Sequence, residues 1–578
     1  MSPKPEPMPS RPAMQLDLGK FQPLCDERLA AWEKSDFFRR FWAKDFTLWT
    51  DRELPEIVDR MGWLQMPERM RGKLSPLISF ADEIRAAGFV HVVLLGMGGS
   101  SLAPEFFQKT FGRRLGYPEL LVLDSTHPQA VRALEKRIDI ERTLFLVSSK
   151  SGTTSETLSF FRYFWSRVAQ LTATPGERFA AITDPGTSLA LLAGERKFRR
   201  LFEAHPEVGG RYSALSEFGL VPAALIGVNV GALLASAAAA ANDSSSAFLL
   251  GAALGEVARQ RDKLTILTSP SLSHFPDWLE QLLAESTGKD GKGVVPVVDE
   301  PVIDCVVSST TLRAGYGNDR FFAGISFDAD QDHELGDRLA ALARAGFPVI
   351  RIRLGDIHAL GEEIFRWEIA TAAAGSVLGI HPFNQPDVES AKEMARKIMA
   401  RGGNEDVRGE SAEETVPLAD GGRLKNALKE WLALARPGDY FAVQAYLAPG
   451  RDVSLEFQEI RSLLLQHTRL ATTFGYGPRF LHSTGQLHKG GPNCGLFLQI
   501  VDETPLKVVD ETTADLAVPE SGYSFGALIR AQSLGDFQAL RQKGRRVLRL
   551  GLGHDAPAGL RCLRDTLASI LASSHFFE

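Results

Sequence analysis

Three short stretches carry residue types that could do chemistry. The first is Gly96-Met97-Gly98-Gly99-Ser100-Ser101, which follows the apolar run His91–Gly96. Glycine allows positive φ and close backbone approach. The serines can cap a following helix, whose free N–H groups then face an anion. Such a turn also serves dinucleotides, and it lacks the G-x-x-x-x-G-K-[ST] pattern of the nucleotide P-loop. The second stretch follows Thr143–Ser149 and offers six hydroxyls, Ser148, Ser149, Ser151, Thr153, Thr154 and Ser155. It could be an ordinary helix-capping turn, but two such turns, each after a strand, favour one shared phosphate site. The third, Glu285-Ser286-Thr287-Gly288-Lys289, puts a carboxylate in a loop with Gly and Lys. A carboxylate tuned toward the working pH can take a proton from a carbon next to a carbonyl. Read alone, Glu285 is more simply a surface-loop residue, Arg211 a salt-bridge partner and Lys392 a solvated helix residue beside Glu389.

The elements that must hold these residues alternate. His91–Gly96, Leu120–Ser125, Thr143–Ser149 and Phe179–Thr183 read as strands, separated by helical stretches such as Ser155–Leu171. A second series comprises Lys263–Thr268, Val302–Val307, Arg320–Ser326 and Val349–Leu354. This pattern predicts an α/β protein of parallel sheets with helices on both faces. A polar, acidic stretch, Arg401–Gly422, reads as a linker or long loop. Beyond it Tyr440–Leu447, Leu496–Val501 and Arg546–Leu552 are further strand candidates. The expected division is an N-terminal tail and helices (1–70), two α/β domains (71–245 and 246–400), a linker (401–424) and a C-terminal extension (425–578). A weak repeat relates Leu335-Gly336-Asp337, Ala341-Leu342, Gly346, Val349, Arg351 and Leu354-Gly355 to Leu534-Gly535-Asp536, Ala539-Leu540, Gly544, Val547, Arg549 and Leu552-Gly553. We take from it only a shared helix-turn-strand unit.

Composition narrows the classes. At 578 residues the chain is too long for one core. Its net charge of −6 argues against a broad nucleic-acid-binding surface. Cys25, Cys305, Cys494 and Cys562 stand far apart, which suggests neither a metal cage nor a disulfide framework and fits a reducing, cytoplasmic setting. Met1–Pro12 does not read as a signal or transit peptide. Val221–Ala241 is uncharged and long enough to span a bilayer, but its Ala and Gly content favours a tightly packed buried helix.

Five motifs in order resemble those of the phosphoglucose isomerase family, built on paired sugar isomerase domains. They are Gly96–Ser100, Ser149–Thr157, Gly209-Gly210-Arg211-Tyr212-Ser213, Glu285–Lys289 and Phe383–Lys392. Asn384 departs from the Asp usual in the last, whose Gln385 and Lys392 are kept. The resemblance implies two doubly wound, flavodoxin-like parallel sheets with a C-terminal α/β extension. It implies interconversion of glucose 6-phosphate and fructose 6-phosphate through an enediolate, in glycolysis and gluconeogenesis, without metal or other cofactor. In that reading Ser149, Lys150 (through its backbone), Ser151 and Thr154 bind the phosphate, with Gly99, Ser100 and Gly210 nearby. Glu285 moves the proton between C1 and C2, Arg211 stabilises the enediolate, Gln385 contacts substrate and Lys392 assists ring opening.

One expected residue is displaced. The family's ring-opening histidine usually lies twenty to thirty residues after the catalytic Glu, yet Val295–Ser326 contains no His. The family pattern H-x-x-x-Q-x-x-x-x-G occurs instead at His482–Gly491, after the Lys motif. This resembles the isomerase half of fused transaldolase-isomerase proteins, although no transaldolase section is visible. His482 is therefore the candidate acid-base, with His488 second; the bland reading is two surface-loop histidines in a segment too polar and Gly-rich for a core. His381 could line the site, whereas His127, His205, His274 and His333 read as structural. Related enzymes draw this histidine from a neighbouring subunit, so a homodimer is expected, with the alternative that His482 acts within its own chain. Three competitors stay in view: a dual glucose/mannose phosphate isomerase, a non-catalytic sugar-phosphate regulator, and the isomerase half of an amidotransferase. The regulator would need a DNA-binding domain, which is not evident, and the amidotransferase an N-terminal nucleophilic Cys where the chain has Met1-Ser2.

Overall fold

The computed structural model describes residues 13–303, 315–388, 394–396, 398–399, 415–502, 515–553 and 555–573. Its strands in chain order are β1 (Ala13–Asp17), β2 (His91–Leu95), β3 (Glu119–Leu123), β4 (Thr143–Ser148), β5 (Phe179–Thr183), β6 (Arg200–Glu203), β7 (Lys263–Thr268), β8 (Val295–Val297), β9 (Arg320–Phe327), β10 (Val349–Leu354), β11 (Val416–Pro417), β12 (Tyr440–Tyr446), β13 (Ala471–Tyr476), β14 (Gly495–Val501) and β15 (Arg546–Gly551). Among the described residues they form three five-stranded sheets, ordered β3-β2-β4-β5-β6, β8-β7-β9-β10-β1 and β13-β12-β14-β15-β11. All pairings are parallel except that of β1 with β10. With the edge strands β1 and β11 set aside, each sheet runs second strand, first, third, fourth, which is the flavodoxin-like order of a doubly wound sheet.

Most strands are continuous apolar runs because helices cover both faces and leave no side for water. β4 and β5 are buried at every position. The third sheet is an exception: Gln444, Gln499 and Arg549 stand in register across β12, β14 and β15. Their polar ends meet His488, Lys489 and Asp536. Gln444 Nε2 lies 3.2 Å from His488 Nδ1, Gln499 Nε2 donates to Asp536 Oδ2 at 3.3 Å, and Lys489 Nζ pairs with Asp536 Oδ1 at 2.5 Å.

The stretch read as a packed helix is two, Glu217–Leu225 and Val230–Asn242. Among the described residues no helix is long and apolar enough to cross a membrane. Of the strand expected at Val302–Val307, Val302 and Ile303 lie outside any strand and 304–307 lie outside the described residues; β8 was not expected. Pro296 had hidden β8, since Pro cannot donate to a ladder and is confined to edges such as this one. β1, β6, β11 and β13 were also unexpected. The end of the supposed linker is ordered: β11 precedes a helix, Gly421–Leu432, capped by Asp420 Oδ1 on Arg423 N at 3.0 Å.

Candidate active site

The phosphate-type turns follow β2 and β4, adjacent strands whose connections depart in opposite directions along the first sheet. Loops at the carboxyl ends of such strands open into a shared crevice, the usual ligand position in this architecture. Gly98 has φ +54°, and a Cβ there would meet His482 O at 2.9 Å and His482 Cβ at 3.0 Å. A side chain at Gly99 would overlap the backbone of Gly210. The glycines are thus needed for backbone packing against two other segments of the site. Ser100 is buried beside them.

In the second turn, Ser149 Oγ and Thr154 Oγ1 are 2.9 Å apart, and Thr153 Oγ1 donates to Ser151 Oγ at 3.0 Å. Thr154 is the N-cap of helix Ser155–Ala169 yet makes no side-chain capping bond. This leaves the hydroxyls and helix N-terminus suited to an anion. The Lys150 ammonium turns elsewhere, to Asp184 and to Pro206 O at 3.0 Å. Burial holds it below the ordinary lysine range.

Glu285 is in the last turn of helix Phe275–Thr287. Its Oε1 lies 3.3 Å from Arg211, and Gln281 Nε2 donates to Oε2 at 3.2 Å. Arg211 is only 2% exposed. It donates to Ser286 Oγ at 2.8 Å, Gln385 Oε1 at 2.9 Å, Pro382 O at 2.7 Å and Asn384 O at 3.1 Å. A guanidinium so held has little freedom to reorganise when charge develops nearby. Gln385 also donates to Glu56 Oε1 at 3.3 Å. Lys289 bridges Ser286 O and His381 O, each at 2.8 Å, and its burial, with Arg211 close by, keeps it well below the usual lysine range. It is a strut between the two loops. His381 Nε2 faces Pro55 O at 3.2 Å, and burial brings this imidazole down to about 4. Lys392 lies outside the described residues.

His482 comes to this site from the third sheet. Its carbonyl accepts from Gln281 Nε2 at 2.8 Å, so one glutamine joins it to Glu285. Its Nε2 donates to Glu156 Oε1 at 3.0 Å. Glu156 also accepts from Gln532 at 2.7 Å and from Ser155 at 2.9 Å. Burial pushes Glu156 upward, but His482 and the hydrogen bonds outweigh it and hold the carboxyl at about 2. An ionised carboxylate only accepts, which assigns the hydrogen of this bond to Nε2. His488 is not part of this arrangement. It packs behind, against Gln444, and burial drives its imidazole well below the ordinary range. The expectation that Gly475–Pro492 is too polar for a core is corrected: Ser483, Thr484, Gln486, His488 and Lys489 are all buried. Their polar groups are bonded across the junction, as Gln486 Nε2 is to Gly288 O at 3.0 Å and Asp387 Oδ2 at 2.8 Å.

The arrangement has a hydroxyl-rich turn at a helix N-terminus, a carboxylate beside a fixed arginine and a histidine bonded to a second carboxylate. Residues 84–295 match the family model described as Phosphoglucose isomerase. The chain is 30% identical to the glucose-6-phosphate isomerase of Rubrobacter xylanophilus over 413 residues, which span 95% of that protein and 61% of this one. The chain belongs to the phosphoglucose isomerase family. It is also 32% identical to a probable glucose-6-phosphate isomerase of Natronomonas pharaonis, over 82% of that protein and 56% of this chain. A solved structure, that of hypothetical protein TT0462 from Thermus thermophilus, aligns along its whole length with 67% of the chain, a TM-score of 0.57 and 26% identity.

Three side chains of this family member were missed as functional candidates. Glu156 lies inside the motif Ser149–Thr157, which drew notice only for its phosphate-binding hydroxyls. Gln281 stands one helical turn before Glu285, a spacing that places both on one face. Gln532, 376 residues from Glu156, carried no signal of its own.

Proposed function

We propose that this chain interconverts glucose 6-phosphate and fructose 6-phosphate by proton transfer through an enediolate. The observation that carries the reading is Glu285 poised between Arg211 and the Gln281 amide, beside the hydroxyl-rich turn. In the proposed mechanism Ser149, Ser151, Thr154 and the Lys150 backbone hold the phosphate, with Gly99, Ser100 and Gly210 shaping the adjoining wall. His482, oriented by Glu156, exchanges a proton with the ring oxygen as the pyranose opens, and Lys392 assists. Glu285 then removes the proton from C2 and returns it to C1. Negative charge gathers on the two oxygens of the enediolate, where the Arg211 guanidinium already stands, and little reorganisation is required. Gln385 keeps Arg211 in place and contacts the sugar. The resemblance that supports this reading also implies a homodimer.

The test is a coupled assay with fructose 6-phosphate, NADP and glucose-6-phosphate dehydrogenase, read as NADPH absorbance. Sustained turnover is expected. Binding of the sugar phosphate without turnover would instead indicate a regulator, and equal turnover of mannose 6-phosphate a dual isomerase.

A further inference from the structure

The third sheet repeats the middle one. Both run second-first-third-fourth strand and then an added edge, β1 in the middle sheet and β11 in the third. The sequence repeat falls on equivalent parts. Leu335 to Gly346 lies on helix His333–Arg344 and its turn, leading to β10, and Leu534 to Gly544 on helix Phe525–Gln542 and its turn, leading to β15. Each is the connection into the fourth strand of its sheet, and both helices are followed by a left-handed glycine, Gly346 at φ +85° and Gly544 at φ +65°.

The two sheets meet through equivalent edges. β8 is the second strand of the middle sheet and β13 that of the third, and each is an outer strand. Val295 and Val297 of β8 share one apolar cluster with Ala471 of β13 and Tyr440 and Ala442 of β12. Past the end of β8, Glu300 Oε1 accepts from Thr472 N of β13 at 2.7 Å, and Val298 O and Asp299 O accept from Arg461 at 2.8 Å and 2.6 Å. The same element of two related folds facing itself is the arrangement of an isologous dimer. Here a single chain contains it.

The loop that leaves β13 is the one that reaches the site. Leu487 packs on Gly288 so closely that a Cβ there would overlap it, Gly291 N donates to Gly490 O at 2.9 Å, and His482 sits on Gly98 and Gln281. Asp536, Gln499 and Arg549 of the third sheet brace the loop from behind through Lys489. We propose that the third sheet with its helices is a fused copy of the middle one that takes the place of a second subunit, so that His482 serves the Glu285 site of its own chain. One chain then holds a complete site, whatever its oligomeric state. This rests on the isomerase reading of Glu285 and His482 given above.

The experiment co-expresses Glu285→Gln and His482→Asn chains under different tags, both checked for native folding by circular dichroism. Each variant alone should be inactive, and the co-expressed mixture should stay at the level of the separate variants. Two inactive variants whose mixture regains about a quarter of wild-type activity would overturn the proposal while leaving the isomerase reading intact, because half of randomly assorted pairs are mixed and each carries one whole site. A single variant that retains wild-type turnover would overturn the roles of these residues, and the proposal with them. If His482→Asn does not fold, His482→Gln replaces it in the same comparison.

Discussion

Glu285 and Glu156 are both tied to His482, the first through Gln281 and the second directly, yet their surroundings set them up for different work. Glu156 accepts from an imidazole, an amide and a hydroxyl, and is held at about 2. A carboxylate so satisfied is a poor proton acceptor and a good orienter. Glu285 has a more distant cation, Arg211 at 3.3 Å, whose own donors are largely spent on Ser286, Gln385 and two carbonyls. Its oxygens stay accessible to a substrate proton. The two carboxylates therefore differ in the number and distance of the donors around each, a difference that would let one residue type take the two proposed roles in one site.

The largest effect should come from the accessible carboxylate. Glu285→Gln keeps the shape and removes the base; kcat is expected to fall by about 10³-fold or more, with sugar-phosphate affinity by calorimetry within a few fold of wild type. Loss of binding together with turnover would make Glu285 structural and remove one side of the comparison. His482→Ala should lower kcat by about 10²-fold, since general acid–base groups contribute on that order, with KM little changed. Turnover within a few fold of wild type would leave Glu156 with nothing to orient.

Glu156→Gln should lower kcat about tenfold, less than loss of the histidine itself, because the ring remains and only its orientation is relaxed. It also carries a stability signature. A carboxyl moved from 4.5 to about 2 on folding favours the native state by on the order of 3 kcal/mol. The folded value is depressed, so this contribution is present above pH 4.5 and is lost as pH falls through 2. The gap in unfolding free energy between wild type and Glu156→Gln should narrow as pH falls from 4.5 toward 2, as followed by denaturant titration. A gap that widened on acidification would reverse the assignment.

How much of this could be read beforehand depends on whether the information was local. The phosphate turns were visible because glycine, hydroxyls and strand are contiguous at 96–101 and 148–155. The first sheet's four longest strands were visible because burial on both faces demands unbroken apolar runs. β8 was missed because Pro296 interrupts a three-residue edge strand, and β13 was missed because Thr472, Thr473 and Gly475 dilute its apolar signal. Burial of the His482 loop was invisible for another reason. Its polar groups are bonded to partners remote in sequence, as Gln486 is to Gly288, 198 residues away. No composition rule anticipates polar segments that find such partners. The Glu156–Gln532 contact is of the same kind.

The smallest and most discriminating change is at Gln281, the residue shared by the two halves. Its amide donates to Glu285 Oε2 and to the carbonyl of His482, so a single side chain sets the spacing of base and histidine. Gln281→Met keeps nearly the same volume and loses the donor. A net hydrogen bond is worth about 1 kcal/mol, so a roughly five- to tenfold drop in kcat with unchanged KM is the expected result, in the same coupled assay. Gln281→Ala should behave alike if the donor is what matters. If Met restores wild-type turnover and Ala does not, the side chain acts only by filling space. The link between the carboxylates is then packing of the His482 loop on the Glu285 helix, and Glu285 and Glu156 would have to be treated as two independent sites of control.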